Sequence, residues 1–292
     1  MTAREMHCRL RRWTRRSHAD RDRQLKEVAA VKHVKTRWAC VLVFGIATAV
    51  SFAALGATPS LTGSWVMLQV YPRIADLPLV GSSAQVSYVV QRVDVEQDGL
   101  SLVMNDVYCF TFIDEESSIA ATEIPESFMQ SLRPQPRRAT LSNTDEGFAL
   151  NQPTYIEVRG AILENPETDE LPTDPEDPRV IDQDDDGFPG MTVNVSLLGL
   201  MADQIYVVQR VQYALQGTVI SDDRIEGLIE WTDEQNVLDA TSALLMAGTE
   251  SQQDPDPTKH FFVMLRAEEE WTCEWLQENW REVFGVEDET SD

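Results

Sequence analysis

The residues best suited to chemistry in this chain form one short acidic segment, which runs from Asp182 to Phe188 and reads Asp-Gln-Asp-Asp-Asp-Gly-Phe. Aspartates at the first, third and fifth positions, with a glycine at the sixth, are how a short loop wraps carboxylate oxygens around a hard cation. The backbone carbonyl of Phe188 lies where the seventh-position ligand is expected. The segment therefore predicts a calcium site formed by Asp182, Asp184, Asp186 and Phe188, with Asp185 directed towards solvent.

This spacing resembles the calcium loops of EF-hands and, more closely, the Asp-rich loops of thrombospondin type 3 repeats. An EF-hand carries a bidentate glutamate at position 12, where this chain has Val193. We expect the missing ligands to come from the acidic residues just upstream, Asp174, Glu176 and Asp177, and the affinity to be that of extracellular modules, about 10⁻⁴ to 10⁻³ M. Magnesium is disfavoured because it would keep mostly water ligands. The alternative is a solvated acidic turn that binds no cation.

The segment before the loop, residues 164–178, is acidic and rich in proline. Seven of its 15 residues are Asp or Glu and four are Pro. Proline removes backbone donors and like charges repel, so this composition disfavours a helix or a central strand. We expect residues 164–189 to form an acidic linker that contains the calcium loop and joins two β repeats, residues 58–163 and 190–292, within one packed domain.

The two repeats are indicated by the hexapeptide Tyr-Val-Val-Gln-Arg-Val, which occurs at residues 88–93 and again at 206–211. A glycine follows each tyrosine by 11 residues, and the upstream segments 63–70 and 190–197 share one pattern of apolar residues. Three matches in the same order indicate an internal duplication. The period-two alternation predicts strand, strand, turn and strand in each copy. The fold class is therefore mainly β, an antiparallel barrel or sandwich with short helices.

Apolar spacing and punctuation by Pro and Gly predict the other elements. Strands are expected at 154–163 and 260–267. Short helices are expected at 125–132 and 233–247, the first with proline at its first position. Residues 268–284 lack Gly and Pro and place apolar residues on one helical face, which predicts a C-terminal helix docked on the sheet.

Near the start of the first repeat, the sequence Gly63-Ser64-Trp65 resembles the Gly-x-Trp opening of lipocalin-type barrels. The resemblance covers three residues and implies a calycin-like barrel. The alternative is a tryptophan packed on an ordinary strand.

The repeated hexapeptide places one amide among apolar residues in each copy, Gln91 and Gln209. A buried amide needs hydrogen-bond partners. The two glutamines are therefore candidate ligand-binding residues that line a cavity and orient a ligand. The alternative, which is the usual role of a buried amide, is a structural hydrogen bond to a neighbouring strand or bulge.

The N-terminal region predicts export. Residues 39–57 carry no charge and, as a helix, would span about 28 Å, close to the thickness of the hydrocarbon core of a bilayer. They follow a basic leader, residues 1–38, which is expected to be disordered. The apolar segment is either the core of a cleaved signal peptide or an uncleaved membrane anchor. Both alternatives place residue 58 onwards outside the cytoplasm, in a periplasm or cell envelope.

The cysteines agree with export, because Cys109 and Cys273 are the only pair after the apolar segment. Two lone cysteines in an oxidising compartment are expected to form a disulfide. The alternative is a pair of buried free thiols.

Charge and composition exclude several functions. The net charge is −25, with +8 in residues 1–38 and −33 in the remainder, so the folded part would repel nucleic acid. His260 is the only histidine beyond residue 33, which excludes a multi-histidine metal centre there. No nucleophile motif or phosphate-binding glycine loop is present, and no residue is assigned a catalytic role.

The sequence thus predicts an exported calcium-binding β-protein that acts as a binding or structural module of the cell envelope. Its expected partners are a small apolar ligand or an envelope component, and the membrane itself if the N-terminal segment is uncleaved. The alternative is an extracytoplasmic hydrolase that uses paired carboxylates in a barrel mouth.

Overall fold

The computed structural model describes residues 58–77, 81–116, 120–145, 147–197, 201–243, 245–247 and 250–286. The predicted leader and apolar segment lie outside these residues. The strands are β1 (Gly63–Leu77), β2 (Gly81–Asp98), β3 (Ser101–Glu115), β4 (Ala120–Glu123), β5 (Arg137–Thr144), β6 (Gly147–Arg159), β7 (Met191–Leu197), β8 (Met201–Ser221), β9 (Arg224–Ala240), β10 (Glu250–Gln253) and β11 (Phe261–Arg266). The helices are α1 (Glu126–Ser131) and α2 (Cys273–Phe284).

Eight strands close into an antiparallel ring in the order β1, β2, β3, β5, β6, β8, β9 and β11, and β11 pairs with β1. The predicted mainly β antiparallel fold is confirmed, and the ring is a barrel. The remaining strands extend it, because β4 pairs with β7, β7 pairs with the first part of β8, and β10 pairs with the end of β1. Both predicted repeats therefore contribute strands to one continuous ring.

The interior of the ring is identified by a single cluster of buried apolar residues to which all eight strands contribute. One member from each strand, in ring order, is Trp65, Val93, Met104, Leu141, Leu150, Leu215, Ile229 and Met264. These residues follow the period-two alternation of their strands, as the sequence pattern predicted.

The repeated hexapeptide lies on β2 and β8, and its outward-facing side chains hold a different appendage in each copy. On β2, the Tyr88 ring packs against Trp280 of α2 with their centroids 5.1 Å apart. On β8, the Tyr206 ring stacks on Phe188 of the Asp-rich loop at 4.5 Å. The buried Arg210 of β8 donates to backbone carbonyl oxygens of the acidic linker. One repeated surface thus holds the C-terminal helix in one copy and the linker in the other.

The C-terminal helix is attached to the barrel by a disulfide between Cys109 on β3 and Cys273 at its first residue. This is the predicted pairing. A register shift opposite Val90 and Gln91 turns Cys109 outwards towards the helix. The helix begins after Thr272, whose side chain caps it, so it starts five residues later than the pattern suggested.

The short helix expected at 125–132 is confirmed as α1, and the strand expected at 260–267 is confirmed as β11. The strand expected at 154–163 is part of β6, which begins and ends earlier. The helix expected at 233–247 is wrong, because β9 extends through Ala240 and only a 3₁₀ turn follows at Leu245–Ala247. Backbone pairing with β8 along nearly the whole of β9 overrides the local helical spacing.

Inside the barrel, Trp65 is completely buried and its indole N–H donates to the Leu61 carbonyl at 2.8 Å. The Arg266 guanidinium lies 4.5 Å from the centroid of the Trp65 ring and donates to the carbonyls of Ser60 and Thr62. These contacts hold the residues just before β1 against β11, the last strand of the chain. The lipocalin-type resemblance of the Gly-x-Trp sequence stays a prediction.

Candidate functional site

The Asp-rich loop brings three carboxylates together, as its spacing predicted. One oxygen from each of Asp182, Asp184 and Asp186 lies within 4.8 Å of the other two. Backbone bridges hold the segment at both ends, since Val180 pairs with Ala161 and Asp182 pairs with Gly190. The three aspartates, called here the Asp triad, therefore sit in a loop of restricted geometry between the linker and β7.

Two members of the Asp triad are oriented by hydrogen bonds within the loop. The backbone N–H groups of Asp186 and Gly187 donate to the Asp182 carboxylate at 3.1 and 2.9 Å. The Asp186 carboxylate accepts from the Phe188 N–H at 2.9 Å and from the Thr192 hydroxyl. These hydrogen bonds hold the two carboxylates in place within the loop.

Asp184 differs from the other two, because its Oδ1 atom is buried and has no hydrogen-bond partner within the described part of the chain. Burial raises the pKa of Asp184, and the negative charges of Asp186 and Asp182 raise it further. A cation between the three carboxylates would remove this repulsion and give Oδ1 a partner. The donor set consists of hard carboxylate oxygens, which suits a divalent cation of the calcium or magnesium type.

Two other residues of the loop, Asp185 and Phe188, were assigned positions from the sequence. Asp185 is exposed with a φ of 57° and lies outside the Asp triad, as expected. The Phe188 side chain is fixed by its stacking on Tyr206, and the role of its carbonyl as a ligand stays a prediction.

Asp174 and Asp177 are not brought into the Asp triad. The Asp177 carboxylate receives the Arg179 guanidinium at 3.0 and 2.7 Å. The hydrogen bonds from Arg179 lower the pKa of Asp177 to about 2. Asp174 accepts from the Glu176 N–H at 2.9 Å within the same turn. The guanidinium of Arg179 thus occupies one of the carboxylates that the sequence analysis assigned to the cation.

The barrel interior also contains charged side chains, which the sequence analysis missed. Asp106 and Arg137 form a two-bond ion pair, and both side chains are completely buried. The Arg137 guanidinium also donates to the Gln152 amide oxygen. Arg159 pairs with Glu157 at 2.6 Å. These residues alternate with apolar ones along inward-facing strand positions, and that alternation is the signal that could have revealed them.

Buried tyrosines surround these ion pairs. The Tyr108 hydroxyl donates to Glu157 at 3.1 Å, and the Tyr71 hydroxyl donates to Gln69 at 3.0 Å. Burial raises the pKa of Tyr71, Tyr108 and Tyr213 well above the ordinary value, because a tyrosinate would be desolvated there. The largely apolar interior therefore also contains a polar layer of paired charges and neutral hydroxyls.

The two glutamines of the repeated hexapeptide face this interior, but their surroundings differ. The Gln209 amide accepts from Arg159 at 3.3 Å and donates to Asp233 at 3.4 Å. Gln91 is completely buried, and neither its oxygen nor its nitrogen has a hydrogen-bond partner among the residues that the structure describes. Gln209 makes structural hydrogen bonds, whereas Gln91 makes none.

The single histidine of the folded region, His260, is held by structural contacts. Its Nδ1 atom accepts from the Trp231 indole N–H at 2.7 Å, which requires Nδ1 to be unprotonated. Its Nε2 atom lies 2.7 Å from the Asp254 carbonyl oxygen, so Nε2 carries the proton and donates. Both ring nitrogens of His260 are thereby engaged.

In the described ranges, no helix has the length and apolar character needed to cross a membrane. Comparisons with protein-family models, with curated proteins and with solved structures find no match to this chain.

Proposed function

We propose that this chain is an exported calcium-binding β-protein in which the Asp triad holds a structural cation and the barrel serves as a module of the cell envelope. The observation that carries the proposal is the Asp triad itself. Three carboxylates lie within 4.8 Å of one another, and one of them keeps a buried oxygen without a partner in the described chain. Such an arrangement is repulsive without a counter-ion and becomes favourable with one.

The position of the Asp triad supports a structural role for the cation. The linker packs on the outer face of β8 through a small apolar cluster that includes Leu171, Val208 and Leu238. The Asp-rich loop connects that cluster to β7. A cation that draws the three carboxylates together would hold the linker against the start of the second repeat. Calcium fits this role better than magnesium, since calcium tolerates irregular oxygen ligands and gives up its water readily.

Two further features support an extracytoplasmic location. The disulfide between Cys109 and Cys273 suits an oxidising compartment. With only three clustered carboxylates the Asp triad is expected to bind calcium weakly, and weak binding is useful only where calcium is abundant, as it is outside cells. The uncharged segment 39–57 precedes the barrel in the sequence and would direct or anchor export.

The hydrolase alternative gains no comparable support. The interior carboxylates Asp106 and Glu157 are each ion-paired with an arginine, so their oxygens are already engaged and not free to contact a substrate. We therefore favour the binding or structural role.

The proposal is tested by thermal melting of the full-length protein during a calcium titration. At 1 mM calcium and a dissociation constant of about 10⁻⁴ M, binding adds about 1.4 kcal/mol, which raises Tm by roughly 3–6 °C. Asp184→Asn and Asp186→Asn should abolish the rise. Asp185→Asn is the matched control, because it removes the same charge from the same loop outside the Asp triad, and asparagine tolerates its positive φ. An unchanged Tm in the wild type, or an equal rise in Asp184→Asn, would refute the calcium site.

A further inference from the structure

Gln91 lies in the barrel interior, and no hydrogen bond in the described part of the chain accounts for its burial. It lies on β2 between Met67 on β1 and Tyr108 on β3 in the strand register. Its side chain is completely buried, and both its amide oxygen and its amide nitrogen lack hydrogen-bond partners in the described chain. A buried amide in this state opposes folding, because it has lost its bonds to water without replacing them.

Other unpartnered polar atoms lie in the same layer of the barrel. Gln69 follows Met67 by two residues on the same face of β1, and its amide nitrogen is buried without a partner among the residues described. Its amide oxygen is already bound to the Tyr71 hydroxyl. The Tyr71 ring packs against Trp231 with their centroids 5.1 Å apart, and Tyr213 on β8 pairs with Trp231 in the strand register. The Tyr213 hydroxyl is itself buried and unpartnered within the described ranges. Three strands, β1, β2 and β8, thus place unsatisfied polar groups in the barrel interior.

The duplicated sequence shows what kind of partner this glutamine accepts. Its equivalent in the second copy, Gln209, accepts from the guanidinium of Arg159 and donates to the carboxylate of Asp233. Gln91 occupies the same hexapeptide without either partner. A molecule that satisfies Gln91 must therefore offer a donor to its oxygen and an acceptor to its nitrogen.

The charges of the layer limit the ligand further. Arg137 is paired with Asp106 and Arg159 with Glu157, so these four interior charges are already balanced. An added net charge would be buried without a counter-ion, which is costly. Large apolar side chains of the same interior cluster, such as Trp65 and Met67, are completely buried. The ligand is therefore small and carries no net charge.

We propose that Gln91, Gln69 and Tyr213 form an internal binding site for a small uncharged polar molecule that carries both a hydrogen-bond donor and an acceptor, as a primary amide does. The site lies inside the barrel and shares no residue with the Asp triad. The proposal therefore stands independently of calcium binding.

The test uses the full-length protein labelled with ¹⁵N-glutamine and acetamide as the probe, because acetamide is the smallest stable primary amide. Titration should shift the side-chain amide signals of Gln91 in a saturable manner. Gln91→Leu identifies these signals by removing them. Gln209→Leu is the matched control at the equivalent position of the repeat, and it should leave the response of Gln91 intact.

Melting without the probe separates a binding role from a structural one. Gln91→Leu should melt at or above the wild-type temperature, because it removes two unsatisfied polar atoms. Gln209→Leu should melt lower by several degrees, because it leaves Arg159 and Asp233 with fewer partners. Loss of stability in Gln91→Leu equal to that in Gln209→Leu would assign Gln91 a structural role and overturn the proposal.

A second result would also overturn it. If the Gln91 amide signals do not respond to acetamide, an ordered water satisfies the amide and no ligand site exists. Calcium-induced stabilisation should persist in Gln91→Leu, and the acetamide response should persist in Asp184→Asn. These crossed controls distinguish failure of the internal site from failure of the calcium site.

Discussion

We expect the free energy of unfolding to depend strongly on the buried ion pair between Asp106 and Arg137. The two side chains are completely buried and joined by two hydrogen bonds, and Arg137 also donates to Gln152. Replacing Asp106 by asparagine keeps the size of the side chain but removes its charge. Arginine does not give up its proton in proteins, so the Arg137 charge would remain buried and uncompensated.

The size of the effect follows from this geometry. Removing one partner of a fully buried pair costs about 3–5 kcal/mol, because the remaining charge has lost both its water and its counter-ion. For a folded region of this size, that corresponds to a fall in Tm of roughly 6–20 °C. The surface variant Glu226→Gln is the matched control. Glu226 is paired with Arg224, both side chains are about one-third exposed, and the expected loss is below about 1 kcal/mol.

Chemical denaturation followed by tryptophan fluorescence and far-UV circular dichroism measures both variants under the same conditions. The double variant Asp106→Leu with Arg137→Met replaces both charges by apolar groups and should recover most of the loss, because no unpaired charge remains. If Asp106→Asn unfolds within about 1 kcal/mol of the wild type, the pair is not buried as described. A double variant less stable than Asp106→Asn would show that the pair itself, and not the isolated charge, carries the stability.

Three further outcomes are expected. Replacing Cys109 and Cys273 by serine should cost up to about 5 kcal/mol, since the disulfide closes a loop of 164 residues, and a reducing agent should lower the wild type to the same stability without affecting the variant. Burial raises the pKa of Tyr155 from 10.0 to about 12, so the stability that its neutral hydroxyl contributes is complete below pH 10.0 and is lost as the pH rises through 12. Alkaline denaturation should follow the absorbance of tyrosinate. A constant unfolding midpoint above pH 10.0 would contradict this. Gly227→Ala should lower the free energy of unfolding, measured by urea denaturation, by more than about 1 kcal/mol. The new methyl carbon would lie 2.1 Å from the Gln216 carbonyl oxygen where β8 pairs with β9. A variant as stable as the wild type would refute that close approach.

Features set by neighbouring residues were predicted well from sequence. The Asp98-Gly99 turn between β2 and β3 and the amphipathic C-terminal helix both depend on local chain geometry. The Asp triad belongs to this group, because aspartates at alternate positions followed by a flexible Gly187 converge in a short loop. Local spacing failed at 233–247, where the ladder with β8 supplies partners that no local pattern encodes.

The additional ligands proposed for the cation show a second limit. Asp174 and Asp177 are close to the Asp triad in sequence, but Arg179 offers Asp177 a two-bond ion pair within two residues. A carboxylate that already accepts two hydrogen bonds from a guanidinium gains little by leaving it for a more distant cation. Competition between partners depends on distances that the sequence does not state.

By itself, the sequence determined the strand-rich class, the duplicated hexapeptide, the cysteine pair and the Asp triad, since each follows from residue type and short-range spacing. Only the tertiary structure decided which residues meet inside the barrel, including the pairing of Asp106 with Arg137. The contrast between Gln91 and Gln209 shows this most clearly, because both lie in the same hexapeptide, yet the Gln209 amide is hydrogen-bonded and the Gln91 amide is not. Their difference comes from side chains on other strands, and the pairing of β8 with β6 and β9 brings those side chains within hydrogen-bonding reach of Gln209.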